Sequence, residues 1–221
     1  MAIAKSWCRR ATAERALCGA LGALLFCALF AATPVQAAAI DQLRTFLTQT
    51  TSARGEFAQR VVRSGSTAPQ ESKGRFTFQR PGKFRWLYER PYEQLIVADG
   101  QQLVIYDRDL NQATVRKLQS ALPSSPASIL FGSNDFEREF EVSDVGARDG
   151  LEWISAKPRA KDTPFSRIEI GFRNGLPGAM LLVDSFGQTT QLTFGNVERN
   201  PKLEADAFRF TPPKGADVLT E

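Results

Sequence analysis

The sequence predicts a mainly β, α+β fold in which an antiparallel sheet curls or closes on itself. Short segments that alternate apolar and polar residues follow one another beyond residue 55, and turn signals separate them at intervals of about 8–12 residues. No long helical pattern lies between them. All but two of the 16 Phe residues lie beyond residue 37, so the folded part is rich in aromatic side chains. Residues 38–221 are enough to build one core without disulfides.

The first 37 residues have the three parts of a secretory signal peptide. Four basic residues precede an apolar run at residues 16–32, and the small residues Val35 and Ala37 stand at the −3 and −1 positions of a cleavage site. A membrane anchor is the alternative, but the run is at the lower limit for a span and no basic residue follows it closely. We expect cleavage after Ala37, or one residue later, and a single domain over residues 38–221.

Removing this segment changes the composition. It holds four of the 28 basic residues and one of the 24 acidic residues, so the remainder is nearly neutral and nucleic-acid binding loses its support. Cys8, Cys18 and Cys27 lie within it, which excludes disulfides and zinc–thiolate sites in the exported protein. Bulky residues precede Cys18 and Cys27, so a lipidated amino terminus is not predicted. The absence of His excludes Ser-His-Asp triads and His-ligated metals.

Residues 40–50 predict a helix, because Ile40, Leu43, Phe46 and Leu47 fall on one face. Beyond it the hydrophobic period changes to two, and turn signals such as Asp99-Gly100 and Asn174-Gly175 separate the segments. The predicted strands begin at residue 56 and cover 56–61, 74–80, 83–88, 93–98, 102–106, 113–118, 151–156, 166–172, 179–184 and 188–197.

Residues 122–131 interrupt this pattern. Pro123 and Pro126 end the preceding strand, and residues 127–131 predict a short apolar helix that Gly132 ends. A short apolar helix between strands is a candidate lid or plug over the sheet. An ordinary helix packed in the core is the alternative.

Catalytic patterns are weak. The densest carboxylates are Asp107 with Asp109, Glu137 with Glu139 and Glu141, and Asp144 with Asp149. Paired carboxylates suit a glycosidase, but Glu137 to Glu141 is more typical of a solvated strand or loop edge. Asp107 and Asp109 fall where a hairpin ends, and Asp there is common turn chemistry. Without a phosphate loop, nucleophile elbow or metal-spaced set, we expect a protein that is not an enzyme.

Several stretches resemble the LolA family of periplasmic outer-membrane lipoprotein carriers. Residues 74–86 read GRFTFQRPGKFRW, and residues 91–100 read PYEQLIVADG. Shorter matches are FAQ at 57–59, PASIL at 126–130 and FRFTPPKG at 208–215. The similarity extends from about residue 40 to residue 218.

This resemblance implies an incomplete, half-open antiparallel β-barrel covered by short lid helices. Its apolar cavity takes the acyl chains of a lipoprotein in the periplasm. The carrier receives this cargo from an inner-membrane ABC release complex and passes it to an outer-membrane receptor lipoprotein. It binds no ATP, metal or other cofactor itself, and we expect a monomer.

The resemblance also assigns roles to residues of this sequence. Arg80 locks the lid by hydrogen bonding to its backbone carbonyls, and Phe84 lies at the cavity mouth and contacts partners. The lid falls on Ile129 and Leu130. The remaining predicted cavity residues are Phe57, Phe76, Phe78, Trp86, Leu95, Val97, Ile168, Ile170 and Phe172.

Two other classes remain open beside the weak enzyme interpretation. A periplasmic lipid- or peptide-sensing regulatory domain of the same fold is one, although such proteins usually carry a second domain. An outer-membrane β-barrel is the other, but the internal helix and the proline-rich carboxyl-terminal region do not fit it.

Overall fold

The computed structural model describes residues 38–66, 68–118, 129–130, 136–160 and 163–221. All of them belong to one compact unit, Ala37–Glu221. The predicted signal peptide lies outside the described residues. Of the predicted lid helix at 127–131, only Ile129 and Leu130 lie within them, and both have helical backbone conformation.

Within these residues, twelve strands form one sheet that is not closed, which confirms the predicted fold class. The sheet order is β12-β6-β5-β4-β3-β2-β1-β11-β10-β9-β8-β7. All neighbours are antiparallel except β12 and β6, which run parallel. The strands are β1 (Ser52–Val62), β2 (Gln70–Gln79), β3 (Lys83–Arg90), β4 (Gln94–Asp99), β5 (Gln102–Asp107), β6 (Gln112–Lys117), β7 (Phe140–Arg148), β8 (Leu151–Pro158), β9 (Phe165–Arg173), β10 (Leu176–Asp184), β11 (Thr189–Arg199) and β12 (Asp217–Thr220).

Helix α1 (Ala39–Gln49) begins one residue before its predicted start and packs on β7, β8, β9 and β10. Leu43 and Phe46 on its apolar face are each 1% exposed. A four-residue helix, α2 (Phe136–Glu139), leads directly into β7. The prediction of a strand or loop edge from Glu137 was therefore wrong for residues 137–139, which are helical.

The strand register divides the sheet into two faces, since directly opposite residues on neighbouring strands point the same way. Phe78 pairs with Phe84, which pairs with Ala98. All three are buried in the main core cluster, against which α1 also packs. We call this the inner face. The alternate residues of each strand form the outer face.

The carboxyl-terminal segment, residues 201–211, covers the outer face of β4 and β5. Phe208 is buried there, and the Phe210 ring lies 5.3 Å from the ring of Tyr106. The outer face of these two strands is apolar, so this cover removes it from water.

Asn200 fixes the connection between α1 and β1. Its Oδ1 accepts hydrogen bonds from the backbone N–H of Thr51 at 2.9 Å and of Ser52 at 3.1 Å. Its Nδ2 donates to the carbonyl of Gln49 at 2.9 Å. The backbone φ of Asn200 is 52°, in the left-handed region that Asn tolerates better than most residues. One side chain therefore satisfies backbone groups at the carboxyl end of α1.

We expect Asn200→Ala to lower the free energy of unfolding by about 2–3 kcal/mol, because it removes these hydrogen bonds and because Ala tolerates the left-handed conformation less well than Asn. Asn200→Gly loses the same bonds without the conformational cost, so it should lose about 1 kcal/mol less. Urea unfolding of both variants measures the two contributions. A change below about 0.5 kcal/mol in both would show that the bonds do not contribute.

Candidate functional site

Aromatic side chains cover the inner face of β1, β2 and β3. The ring of Phe57 stacks on Trp86 with a centroid distance of 4.0 Å, and Phe76 stacks on Trp86 at 5.9 Å. Phe57, Phe76, Phe78 and Trp86 are each at most 3% exposed. The structure thus brings together four of the predicted cavity residues on one continuous apolar surface.

A second wall comes from β9, where Ile168, Ile170 and Phe172 are fully buried on the same inner face. Phe46 of α1 links the two walls. Its ring centroid lies 6.1 Å from that of Phe78 and 6.2 Å from that of Phe172. The apolar side of α1 therefore lies across the inner face and shields both walls from water.

The lid residues Ile129 and Leu130 complete this cover. They are 8% and 2% exposed and belong to the same core cluster as the aromatic residues. The walls, α1, Ile129 and Leu130 are packed together and cover the inner face, and we call this arrangement the closed state. A ligand would reach the inner face only if this cover moved.

Arg80 connects the lid to α1. It follows the last residue of β2, and its Nη2 donates a hydrogen bond to the carbonyl of Leu130 at 3.0 Å. Its Nε donates to the carbonyl of Thr50, the residue that caps the carboxyl end of α1, at 3.2 Å. A guanidinium suits this position because its donors diverge in one plane. Arg80 thus joins three parts of the closed state, namely β2, α1 and the lid.

The surroundings of Arg80 are largely apolar. Its guanidinium carbon lies 5.1 Å from the ring centroid of Phe46 and 5.2 Å from that of Phe78, within the range of cation–π attraction. Burial lowers the pKa of Arg80 to about 10. This value is still well above neutral pH, so the side chain remains a cation there.

A second connection joins α1 to α2 on the surface. Arg44 Nη2 donates to Glu137 Oε1 at 2.9 Å, and both side chains are about half exposed. Beneath this pair Phe136 is buried and its ring stacks on Phe140 at 4.7 Å. Exposed ion pairs contribute about 0–1 kcal/mol, so this connection is weaker than the one at Arg80.

Two predicted cavity residues lie elsewhere. Leu95 and Val97 are buried, but on the outer face, because Val97 pairs with Arg85 and Leu95 with Leu87. The prediction that they line the cavity was wrong. Residues 95–98 form a continuous apolar run that is buried on both faces, so its sequence carries no alternation that separates the two.

Phe84 lies on the inner face, as its alternation with Trp86 predicts, but it is only 1% exposed. In the closed state a partner cannot touch its ring. Contact with a partner would need the cover to move first.

Sequence reasoning missed three contributors. Phe46 was predicted on the apolar side of a helix but was not assigned to the site. Its helical spacing with Leu43 was the signal that could have indicated its contact with the sheet. Asn200 and the Arg44–Glu137 pair act between segments far apart in the chain, and no local pattern marks them.

Within the described ranges, no helix is long and apolar enough to cross a membrane.

Comparisons with known proteins agree with one another. The family described as outer membrane lipoprotein carrier protein LolA matches residues 48–211. A relative from Cupriavidus necator, named outer-membrane lipoprotein carrier protein, is 55% identical over 94% of this chain and 99% of its own. One of the same name from Ralstonia nicotianae is 53% identical over 84% of this chain and 89% of its own. The crystal structure of a LolA superfamily protein from Nitrosomonas europaea has a similar fold, with a TM-score of 0.50 and 10% identity, and covers 77% of this chain and 95% of that one.

Proposed function

Because the chain belongs to the LolA family of outer membrane lipoprotein carrier proteins, we propose that its inner face binds the acyl chains of the lipoproteins it carries. The observation that supports this most is the half-buried guanidinium of Arg80, which ties Leu130 of the cover to an aromatic surface. An ordinary core does not need a cation to hold its cover. A carrier needs a cover that opens.

The closed state gives the carrier a way to release its cargo. Burying acyl chain is worth about 0.8 kcal/mol per methylene, so a chain of about 15 carbons would contribute about 12 kcal/mol if all of it were retained. Closing the cover over an empty inner face competes with binding and lowers the net affinity by the free energy of opening. In this proposal, Arg80 sets that free energy, and Ile129, Leu130 and Phe46 replace the acyl chains when the carrier is empty.

The route of transport follows from the same family. In our proposal the protein is exported by residues 1–37, works in the periplasm as a monomer, and catalyses no reaction. It receives lipoproteins from an inner-membrane ABC release complex and gives them to an outer-membrane receptor lipoprotein. Phe84 becomes accessible to these partners only in the open state.

The test is uptake of an acylated lipoprotein compared with the same lipoprotein without its acyl chains. We expect a stable complex with the acylated form only, detected by gel filtration and mass spectrometry. The intrinsic fluorescence of Trp86, which lies on the inner face, should change on binding. Trp153 lies on the outer face, where it pairs with Gly171, so Trp153→Phe leaves Trp86 as the reporter beyond residue 37. Equal binding of both forms would contradict acyl recognition and would favour a peptide-binding function.

A further inference from the structure

The outer face carries a groove that the carrier function does not use. It has a volume of about 880 Å³ and lies across β11, β1 and β2, next to the turn between β3 and β4. Arg60, Lys73 and Arg90 line it together with one acid, Glu71. Between them lie Ala58, Pro91 and Thr193, which give the groove an uncharged floor.

The cations of this groove have no ion-pair partner in the part of the chain that the structure describes. Among the described residues, Arg60, Lys73 and Arg90 form no ion pair, whereas Arg54 and Arg75 on the same face pair with Glu198 and Glu89 at 2.6 Å. Glu71 stands directly opposite Arg60 and compensates that charge in part.

Lys73 and Arg90 are directly opposite each other on β2 and β3. Like charges in this arrangement destabilise a sheet. A bound anion between the two side chains would reverse that cost, so the register itself favours an anionic ligand.

Exposed aromatic side chains stand at the same end of the strands. Tyr92 follows Pro91 of the groove and is 69% exposed. Phe186, in the turn between β10 and β11, is 86% exposed, and the neighbouring Gly187 lies against Ser64 of the turn between β1 and β2. Aromatic side chains beside Arg and Lys are typical of surfaces that lie at a membrane interface.

We propose that this end of the sheet is a peripheral docking surface for anionic bilayers, with a lipid phosphate held between Lys73 and Arg90. The exposed aromatic side chains of Tyr92 and Phe186 beside the cations favour a lipid surface over an acidic protein. Arg80 lies at the opposite end of β2, 10 residues long from Gln70 to Gln79, so docking leaves the cover free to open. The surface would hold the carrier close to the membrane from which its cargo comes.

The test uses the purified protein without cargo and sedimentation with vesicles of phosphatidylglycerol or phosphatidylcholine. We expect binding to phosphatidylglycerol only, and weakening of it at high salt. Each Lys or Arg near an anionic surface contributes about fivefold in affinity, so Lys73→Gln with Arg90→Gln should weaken binding about 25-fold. Arg54→Gln with Arg75→Gln removes the same charge from paired sites on the same face and should change it less than threefold. Phe186→Ser should also weaken binding, but without changing the salt dependence.

Equal loss in the two double variants would overturn the proposal, because binding would then follow net charge alone. Failure to bind phosphatidylglycerol vesicles at low salt would overturn it as well. Binding of polyglutamate but not of vesicles would also overturn the proposal, and it would assign the groove to an acidic protein. Uptake of acylated lipoprotein from detergent, measured on Lys73→Gln with Arg90→Gln, should remain normal, so failure here is distinct from failure of the acyl-binding proposal.

Discussion

Arg80→Leu is expected to load lipoprotein normally and to transfer it to the receptor about 30-fold more slowly than the wild type. In the closed state Arg80 donates to the carbonyls of Thr50 and Leu130, and in our proposal the bond to Leu130 is lost when the cover opens. That bond therefore stabilises only the closed state. Leucine cannot make it, which should weaken closing by about 2 kcal/mol. Because only a differential interaction shifts a two-state equilibrium, the loaded state gains that amount.

Stability measurements separate this effect from simple misfolding. The apolar surroundings of Arg80 lower its pKa to about 10, so burying this cation opposes folding, and leucine removes that cost together with the hydrogen bonds. The free energy of unfolding should therefore change by less than about 1.5 kcal/mol while transfer falls strongly. Arg85→Leu, on the outer face of β3, is the matched control and should transfer normally. Normal transfer by Arg80→Leu would refute the proposal that Arg80 stabilises the closed state.

The contacts of Arg80 also show what the sequence could and could not predict. The family resemblance pointed to Arg80 and to lid carbonyls as its acceptors, but nothing in the sequence pointed to its second acceptor, the carbonyl of Thr50, because backbone carbonyls carry no residue-specific signal. The helix prediction at 40–50 was correct to one residue, because Leu43 and Phe46 face the core and repeat with helical spacing. Strands with one solvated face, such as β3, alternate and were found for the same reason.

Elements without a buried face gave no such signal. All four residues of β12 are exposed, and so are the last six residues of β7. Both strands form the edges of the sheet, so their pairing depends on backbone hydrogen bonds rather than on apolar side chains. The prediction that Leu95 and Val97 line the cavity failed for the opposite reason, since both faces of β4 are covered. The hydrophobic period identifies the buried residues of a strand only where one face of that strand is exposed to solvent.

Phe84→Glu should lower the free energy of unfolding by about 5 kcal/mol or more, which is comparable to the whole stability of a typical domain. The ring is 1% exposed and lies between its cross-strand partners Phe78 and Ala98. The substitution removes a packed ring, worth about 3–5 kcal/mol, and adds a buried carboxylate. Urea unfolding at neutral pH and near-ultraviolet circular dichroism measure the loss. The pKa of the new carboxyl should be raised by burial, so lowering the pH should restore part of the stability.

Arg85→Glu is the matched control, because it places the same side chain one residue further on β3 but on the outer face. It should change the stability by less than about 1 kcal/mol. If Phe84→Glu is as stable as this control, the inner face at Phe84 must be open to water for much of the time. A transport defect of Phe84→Glu alone therefore does not identify a partner contact, since unfolding would produce it too. Phe84→Leu keeps an apolar side chain in the same place, and a transport defect in that stable variant would indicate that the ring itself meets the cargo or a partner once the cover opens.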